Sequence, residues 1–395
     1  MKTILRTFVG CTAILFGTAC MGAVKYVPEN MKVELSLKVP GNNAVNYKLH
    51  PDKLENSYFD YEWRSDNKLP ITVFHKVEER DSCMRLTVQL TAAQDVYFNY
   101  RQLLSTGYRH DNCQFYMPGF WYRRNLRSPK KAPSFHTSDS WLLREDRLSA
   151  PLTGIFSEKE KRFMTVNRLD DFSMDALATH KEGEIILSGK TSLGFTGFEN
   201  QQGIAMLSFG FPYREAPKSY IRKLTLAPEV EAFQLMKKGE SVLLTWEIME
   251  SGADDFSDFI QHTWEHCYDT YAPKPVENSY SIADMKQVLS CFFVNSLVDN
   301  QPLVYNSGIH LKVSDCERNG QAEVGFIGRV LLNAFNAWEY GWQSNREELK
   351  VNSTKIFDSY LKNGFTQAGF FKESVNFDKG YEEPIHSIRR QSEGV

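Results

Sequence analysis

The sequence lacks the features that mark several common classes of protein. Its net charge is only -3 and its pI is about 6.3, so it has no basic footprint of a nucleic-acid-binding protein. It contains no glycine-rich phosphate loop and no G-x-S-x-G nucleophile elbow, the local signatures of nucleotide and serine-hydrolase sites. We therefore predict no nucleic-acid partner and no cofactor.

Cysteine is scarce, with 7 residues in a chain of 395. No C-x-x-C pair occurs, so the sequence indicates neither a disulfide framework nor a structural zinc site. We accordingly predict no metal site. The cysteines beyond the first 23 residues are Cys83, Cys113, Cys267, Cys291 and Cys316.

Residues 1–23 are predicted to be a signal peptide. Lys2 and Arg6 precede an apolar run over residues 7–16, which is too short to span a bilayer. Cys20 follows small residues and is a candidate lipidation site, with cleavage at a neighbouring alanine as the alternative. No later segment reaches ~18 uncharged apolar residues. We expect a secreted, periplasmic or outer-membrane lipoprotein, with the lipid as its membrane tether.

Residues 24–250 show the pattern of β-strands. Short runs rich in β-branched and aromatic residues alternate partly with polar residues and end at Gly, Pro, Asn or Asp. Many such strands with no helical pattern between them predict an antiparallel β-sandwich over 24–250. Representative runs are MKVELSL, MRLTV, EIILS and SVLLTW.

Beyond residue 250 the apolar spacing becomes helical. Ser251 and Asp254 have the spacing of a helix N-cap pair, and the prolines at 273 and 275 stop the pattern. Residues 251–275 are therefore predicted to be a connector helix. No strand pattern returns, so residues 276–395 are predicted to be all-α. Further helices are expected at about 281–299, 319–342 and 346–363.

The connector carries H-x-x-E-H, the residue order of inverted zinc peptidases. On a helical projection His262, Glu265 and His266 lie on or beside the side opposite the apolar residues. A catalytic zinc pair must face a cleft, and no third ligand can be singled out. We interpret these histidines as surface residues of an amphipathic helix.

The most unusual segment is residues 117–131, MPGFWYRRNLRSPKK. It lies in a stretch, about 107–140, that shows no clear period, and long loops inside a compact domain are usually functional or disordered. Aromatic faces beside guanidinium groups suit a sugar that bears a carboxylate or sulfate. The alternative is that the rings fill a domain interface while the cations are solvated. The predicted substrate-binding residues are Trp121, Tyr122, Arg123, Arg124 and Arg127.

Candidate catalytic carboxylates lie in the C-terminal part. Glycoside hydrolysis needs one protonated and one ionised carboxyl. Glu323 stands in the segment RNGQAEVGFIGR, and Glu382 and Glu393 stand in the polar, aromatic segment that follows Gly364. Most carboxylates on a protein are solvated surface groups, so each of these three glutamates is a candidate only by its position.

The order of the predicted parts, a signal peptide, a β-sandwich and a helical region, resembles that of secreted bacterial proteins of the six-hairpin glycosidase superfamily. The resemblance covers essentially the whole mature chain. It implies a β-sandwich ahead of an (α/α)6 toroid, catalytic carboxylates in the toroid, and glycoside hydrolysis of a polysaccharide or oligosaccharide. The alternative is a non-catalytic glycan-binding or surface-assembly lipoprotein. The segments that carry the resemblance are MPGFWYRRN, SWLLREDRLSAPLTGIF, LLTW with DDFSDFIQHTWEHCYDTYAPKPV, and QAEVGFIGR with NAFNAWEYG.

The helical part is short for such a toroid. Residues 281–395 hold about six helices with their connections, and only three are readable. We therefore expect an incomplete toroid and a chain that is the front part of a longer protein, inactive by itself. Uncovered apolar helix faces would favour self-association.

Overall fold

The computed structural model describes most of the chain beyond the predicted signal peptide, which with Cys20 lies outside the described residues. The chain divides after Pro273 into two compact units. The described residues are 27–54, 60–80, 83–129, 131–170, 182–222, 224–298, 303–305, 309–311, 316–318, 321–323, 330–370, 372, 374–376 and 380.

The first unit is a large β-sheet domain with 17 connected strands among its described residues, so the predicted β-rich character of this part is confirmed. Alternating burial along the strands follows the alternating apolar pattern of the sequence. The strands are β1 Met31–Lys38, β2 Val45–Lys53, β3 Asp60–Arg64, β4 Ile71–Glu79, β5 Cys83–Ala92, β6 Val96–Arg109, β7 Cys113–Met117, β8 Trp121–Arg123, β9 Trp141–Arg144, β10 Leu152–Ser157, β11 Arg162–Arg168, β12 Gly183–Ile186, β13 Phe195–Gln201, β14 Ile204–Phe211, β15 Arg214–Arg222, β16 Thr225–Met236 and β17 Ser241–Gly252.

Most strands belong to two antiparallel groups. Sheet A runs β2-β1-β6-β14-β13-β9. Sheet B runs β3-β4-β5-β17-β11-β10-β7-β8. Strand β2 pairs with β1 through its first half and with β3 through its second half, so it joins the two groups. The remaining strands, β12, β15 and β16, form a smaller group in which β12 and β16 are parallel.

One hydrophobic core receives side chains from both sheets. Val33 and Leu35 of β1 belong to the same cluster as Leu86 and Val88 of β5 and Trp246 of β17. Full burial of an aliphatic side chain stabilises a fold by about 1.5–3 kcal/mol. The shared core is therefore the main source of stability of the first unit.

Helix α1, Phe256–Tyr271, packs on the other face of sheet B. Its N-cap is Asp255, whose carboxylate accepts the backbone N–H groups of Ser257 and Asp258 at 2.7 and 3.0 Å. The predicted cap, Ser251, is wrong because this residue still belongs to β17. Gly154 lies under the helix, where a Cβ atom would come within 2.6 Å of the Phe259 ring.

The second unit contains three helices and several short strands among its described residues. The helices lie near the predicted positions, but the expectation of an all-α unit is wrong because strands pair there. The predicted start of the second of these helices at 319 is wrong, since residues 321–323 form a strand, and the helix is described from Val330. The elements are α2 Ile282–Ser296, α3 Val330–Gln343, α4 Glu347–Asn363, β18 Leu297–Val298, β19 Val304–Tyr305, β20 Ile309–Leu311, β21 Cys316–Arg318, β22 Gln321–Glu323 and β23 Ser374–Asn376.

These elements do not confirm a toroid. Helices α3 and α4 pack around small and aliphatic side chains such as Ala334, Ala337 and Ile356, whereas Phe335 and Trp342 are exposed. In the part of the chain that the structure describes, no helix has both the length and the apolar character needed to cross a membrane.

His75 should couple the stability of the first unit to pH. It is fully buried, and its Nε2 lies 2.6 Å from the Tyr100 hydroxyl. Burial lowers the pKa of His75 to about 3, whereas an unfolded chain keeps a histidine pKa of about 6.5. Between these values the unfolded state binds more protons. The contribution of the buried, neutral His75 to the free energy of unfolding is therefore complete above pH ~6.5 and is lost as the pH falls towards ~3.

We expect His75→Gln, which retains a polar side chain but does not titrate, to flatten this dependence. The free energy of unfolding of the natural chain should fall by up to about 1.4 kcal/mol per pH unit more steeply than that of the variant. Urea unfolding between about pH 7 and about pH 4 measures both slopes. Equal slopes would show that His75 does not titrate differently in the two states.

Candidate functional site

The predicted ligand-binding segment forms a hairpin at the edge of sheet B. Strands β7 and β8 are antiparallel, with Met117 opposite Trp121 and Phe115 opposite Arg123. The expectation of a long irregular stretch over 107–140 is wrong up to residue 123, because β6 continues to Arg109 and the hairpin follows directly, and it holds for the described residues of 124–140, which form neither strand nor helix. Strand geometry therefore places Trp121, Tyr122 and Arg123, whereas Arg124 and Arg127 lie in the loop that follows.

Trp121 points into the domain. Its side chain is 0% exposed, and its ring packs edge-on against Phe198 at 5.1 Å and beside Trp141 at 5.9 Å. Its indole N–H donates to the Arg123 carbonyl at 2.9 Å. Successive side chains of a strand alternate between faces, so Trp121 belongs to the core. Its prediction as a sugar-stacking ring is wrong.

Tyr122 points outward and is 51% exposed. Its ring packs at 5.4 Å against Tyr116, and its backbone N–H donates to the Asn125 side-chain oxygen at 3.0 Å. The Gly119 N–H donates to its hydroxyl at 3.4 Å. The exposed ring is therefore held in place before any ligand arrives.

Asn125 organises the turn after β8. It has a φ of 48°, a left-handed conformation that asparagine adopts more readily than most residues. Its side-chain amide donates to the carbonyls of Phe120 and Pro133 at 3.2 and 3.3 Å. The loop that carries the arginines is thus fastened at its centre.

The three predicted arginines have different environments. Arg124 donates to the Cys113 and Asp111 carbonyls and lies 4.9 Å from the centre of the Phe135 ring. It therefore holds the loop in place. Arg123 lies 4.9 Å from the centre of the Phe256 ring. Arg127 is exposed, and no residue in the described ranges forms an ion pair or hydrogen bond with its side chain.

A surface cleft of about 810 Å³ is lined by residues 122–128 together with Asp111, Gln114 and Glu158. This volume lies within the usual range for small-ligand sites. Asp111 lies 3.7 Å from Arg109, and Glu158 accepts a hydrogen bond from Gln114. The two carboxylates are thus engaged by neighbouring groups, and the exposed Arg127 remains available to an anionic ligand.

The sequence did not single out Asp111 or Glu158. They reach the cleft because β7 pairs with β10, which sets Cys113 opposite Ser157, and no local motif announces that pairing. Glu323 lies in β22, but its side chain is not described. Glu382 and Glu393 lie outside the described residues, so their proposed roles remain predictions.

The two histidines of α1 face different partners. His262 lies 3.4 Å from Asp258 of the same helix, whereas Nε2 of His266 lies 2.7 Å from a carboxylate oxygen of Glu247 on β17. The His266 side chain is only 21% exposed, so its interpretation as a surface residue is wrong. The helix lies close enough to sheet B for this side chain to reach the strand.

No protein-family model and no curated protein matches the chain. Among solved structures, a protein from Synechocystis sp. PCC 6803 is similar at 7% identity and a TM-score of 0.30, over 55% of this chain and 73% of that one. A polysaccharide lyase is similar at 11% identity and a TM-score of 0.29, over 90% of this chain and 56% of its own length.

A third solved structure is a galactose mutarotase related enzyme from Lactobacillus acidophilus, with 10% identity and a TM-score of 0.30 over 56% of this chain and 79% of that one. Two of these three proteins carry the names of carbohydrate-active enzymes. TM-scores of this size do not establish a shared fold, and the chain spans little more than half the length of the lyase.

Proposed function

We propose that the protein binds an anionic polysaccharide or oligosaccharide in the cleft formed by residues 122–128. The observation that carries this proposal is the exposed Tyr122 ring together with two exposed cations, Arg123 and Arg127, in the lining of one cleft. A flat ring covers the C–H face of a pyranose, and a guanidinium fork binds a carboxylate or sulfate through two hydrogen bonds.

Hydrolysis of the bound glycan is the second candidate function. The cleft is lined by two carboxyl groups, those of Asp111 and Glu158, and glycoside hydrolysis uses such a pair. A β-sandwich ahead of an α/α toroid, with Glu323, Glu382 and Glu393 as alternative catalytic groups, belongs to this glycoside hydrolase-like proposal. Export as a lipoprotein would place the cleft where polymeric glycans are met.

Arg127→Ala should weaken the binding of acidic glycans about tenfold or more, because a hydrogen bond to a charged group contributes about 1.5–3 kcal/mol. Arg64→Ala is the matched control, since Arg64 is also an exposed arginine but pairs with Asp52 and Glu62 away from the cleft. Calorimetric titration with acidic and neutral oligosaccharides, at low and high salt, measures the difference.

An equal loss of affinity in both variants would show that binding depends only on the net charge of the protein, and this would contradict the proposed site. Reducing-end release from the same oligosaccharides separates the two functions. Binding without release supports a glycan-binding protein, whereas release that is abolished by Glu158→Gln or Asp111→Asn supports hydrolysis in this cleft. Failure of every acidic glycan to bind would overturn the proposed function.

A further inference from the structure

Three potential metal ligands from distant parts of the sequence meet between α1 and sheet B. Cys83 begins β5, Glu247 lies in β17 and His266 lies in α1. The thiol, a carboxylate oxygen and an imidazole nitrogen all lie within 4.8 Å of one another. Cys83 and Glu247 are buried, and His266 is partly exposed. This cluster is separate from the residues that line the glycan cleft.

The pairing of β5 with β17 fixes two of the ligands. Cys83 lies opposite Met249, and Arg85 lies opposite Glu247, so Cys83 and Glu247 occupy the same face two residues apart in register. Helix α1 packs on this face, since Cys83 and Met249 belong to the same hydrophobic cluster as Phe259 and Cys267 of the helix. His266 then completes the set from the helix side.

We propose that Cys83, Glu247 and His266 bind a zinc ion that fastens α1 to sheet B. Thiolate, imidazole and carboxylate are the donors that zinc takes in proteins, whereas calcium and magnesium prefer oxygen donors alone. Zinc bonds of about 2.0–2.3 Å place tetrahedral ligand atoms roughly 3.3–3.8 Å apart, a separation that small side-chain rotations would reach from the observed cluster. A water molecule would occupy the fourth position, on the partly exposed side of His266.

The surroundings of the cluster are consistent with this role. Glu247 accepts hydrogen bonds from His266 at 2.7 Å and from Thr270 at 3.2 Å. Its other carboxylate oxygen lies 3.7 Å from the Arg85 guanidinium, so that oxygen keeps a counter-charge when the first one turns to the ion. The Cys83 thiol would release its proton to solvent when it forms the metal–sulfur bond.

Cobalt(II) titration of the whole folded chain tests the site, because a thiolate ligand gives cobalt a near-ultraviolet charge-transfer band. We expect one cobalt ion per chain with this band, its displacement by zinc, and a higher melting temperature in the presence of zinc. Cys83→Ser should abolish the band. His266→Ala should weaken zinc binding by about 10-fold to 100-fold or more, because loss of a residue that only hydrogen-bonds to a metal ligand already has an effect of that size.

Two variants serve as controls, and circular dichroism verifies that every variant is folded. His262→Ala removes the other histidine of α1, which faces Asp258, and Cys267→Ser removes the neighbouring buried thiol; both should bind zinc like the natural chain. The proposal is overturned if folded protein shows no thiolate–cobalt band, if the band survives Cys83→Ser, or if Cys267→Ser abolishes it.

Discussion

Trp121→Ala should lower the free energy of unfolding of the β-sheet domain by about 3–5 kcal/mol, the usual cost of truncating a fully buried large aromatic side chain. The ring is in contact with Phe198 and Trp141, and its removal leaves a cavity between them. Its N–H donor to the Arg123 carbonyl is lost as well. Denaturant unfolding of the variant and the natural chain measures the difference.

Tyr122→Ala is the matched control, because it removes the next ring on the opposite face of the same strand. Since half of the Tyr122 side chain is exposed, the free energy of unfolding of this variant should change by less than about 1 kcal/mol. Its affinity for acidic glycans should fall. If Trp121→Ala were instead as stable as the natural chain and defective only in binding, Trp121 would be a ligand-stacking residue after all.

Arg168→Met should also destabilise the first unit by about 3–5 kcal/mol, because it leaves a buried carboxylate without its counter-charge. The side chains of Arg168 and Glu145 are 4% and 0% exposed, with a guanidinium nitrogen 2.7 Å from a carboxylate oxygen. The same oxygen accepts the Gly194 N–H at 2.8 Å. Burial raises the pKa of Glu145, whereas the Arg168 charge lowers it.

A double-mutant cycle separates the ion pair from packing. With Glu145→Gln added, Arg168→Met no longer leaves a buried charge, and the double variant should be less destabilised than the sum of the two single variants. Asp170 also lies 3.0 Å from the Arg168 guanidinium. The double variant still lacks this second ion pair, so it should remain less stable than the natural chain. Strictly additive losses in thermal or urea unfolding would contradict a coupled pair.

Alternation and helical spacing were sufficient to predict the β-rich first unit and the approximate positions of the helices. They failed where the sequence pattern is compatible with more than one structural assignment. Phe120, Trp121 and Tyr122 are all aromatic, so apolar alternation cannot decide which of them faces the core. Only the pairing of β8 with β7 settles it. Ser251 and Asp255 are both good helix caps, and the extent of β17 decides between them.

Residues of the candidate site that lie in one segment could be predicted from local composition. Residues that join the site from distant parts of the sequence were missed. A run of rings and arginines indicated the segment of Tyr122 and Arg127 directly. Glu158 joins it only through the pairing of β7 with β10. The cluster of Cys83, Glu247 and His266 likewise depends on strand pairing and on the docking of a helix. A single sequence carries no local signal for such encounters.

The position of β17 has a consequence for how the chain folds during synthesis. This strand lies inside sheet B, between β5 and β11, although it is the last strand of the first unit in the sequence. β5 and β17 are neighbours in the sheet, but all strands from β6 to β16 lie between them in the sequence. This connectivity has a high contact order and folds slowly. Sheet B cannot close until residue 252 has emerged from the ribosome, and until then β5 and β11 expose unpaired edges on which other chains can add.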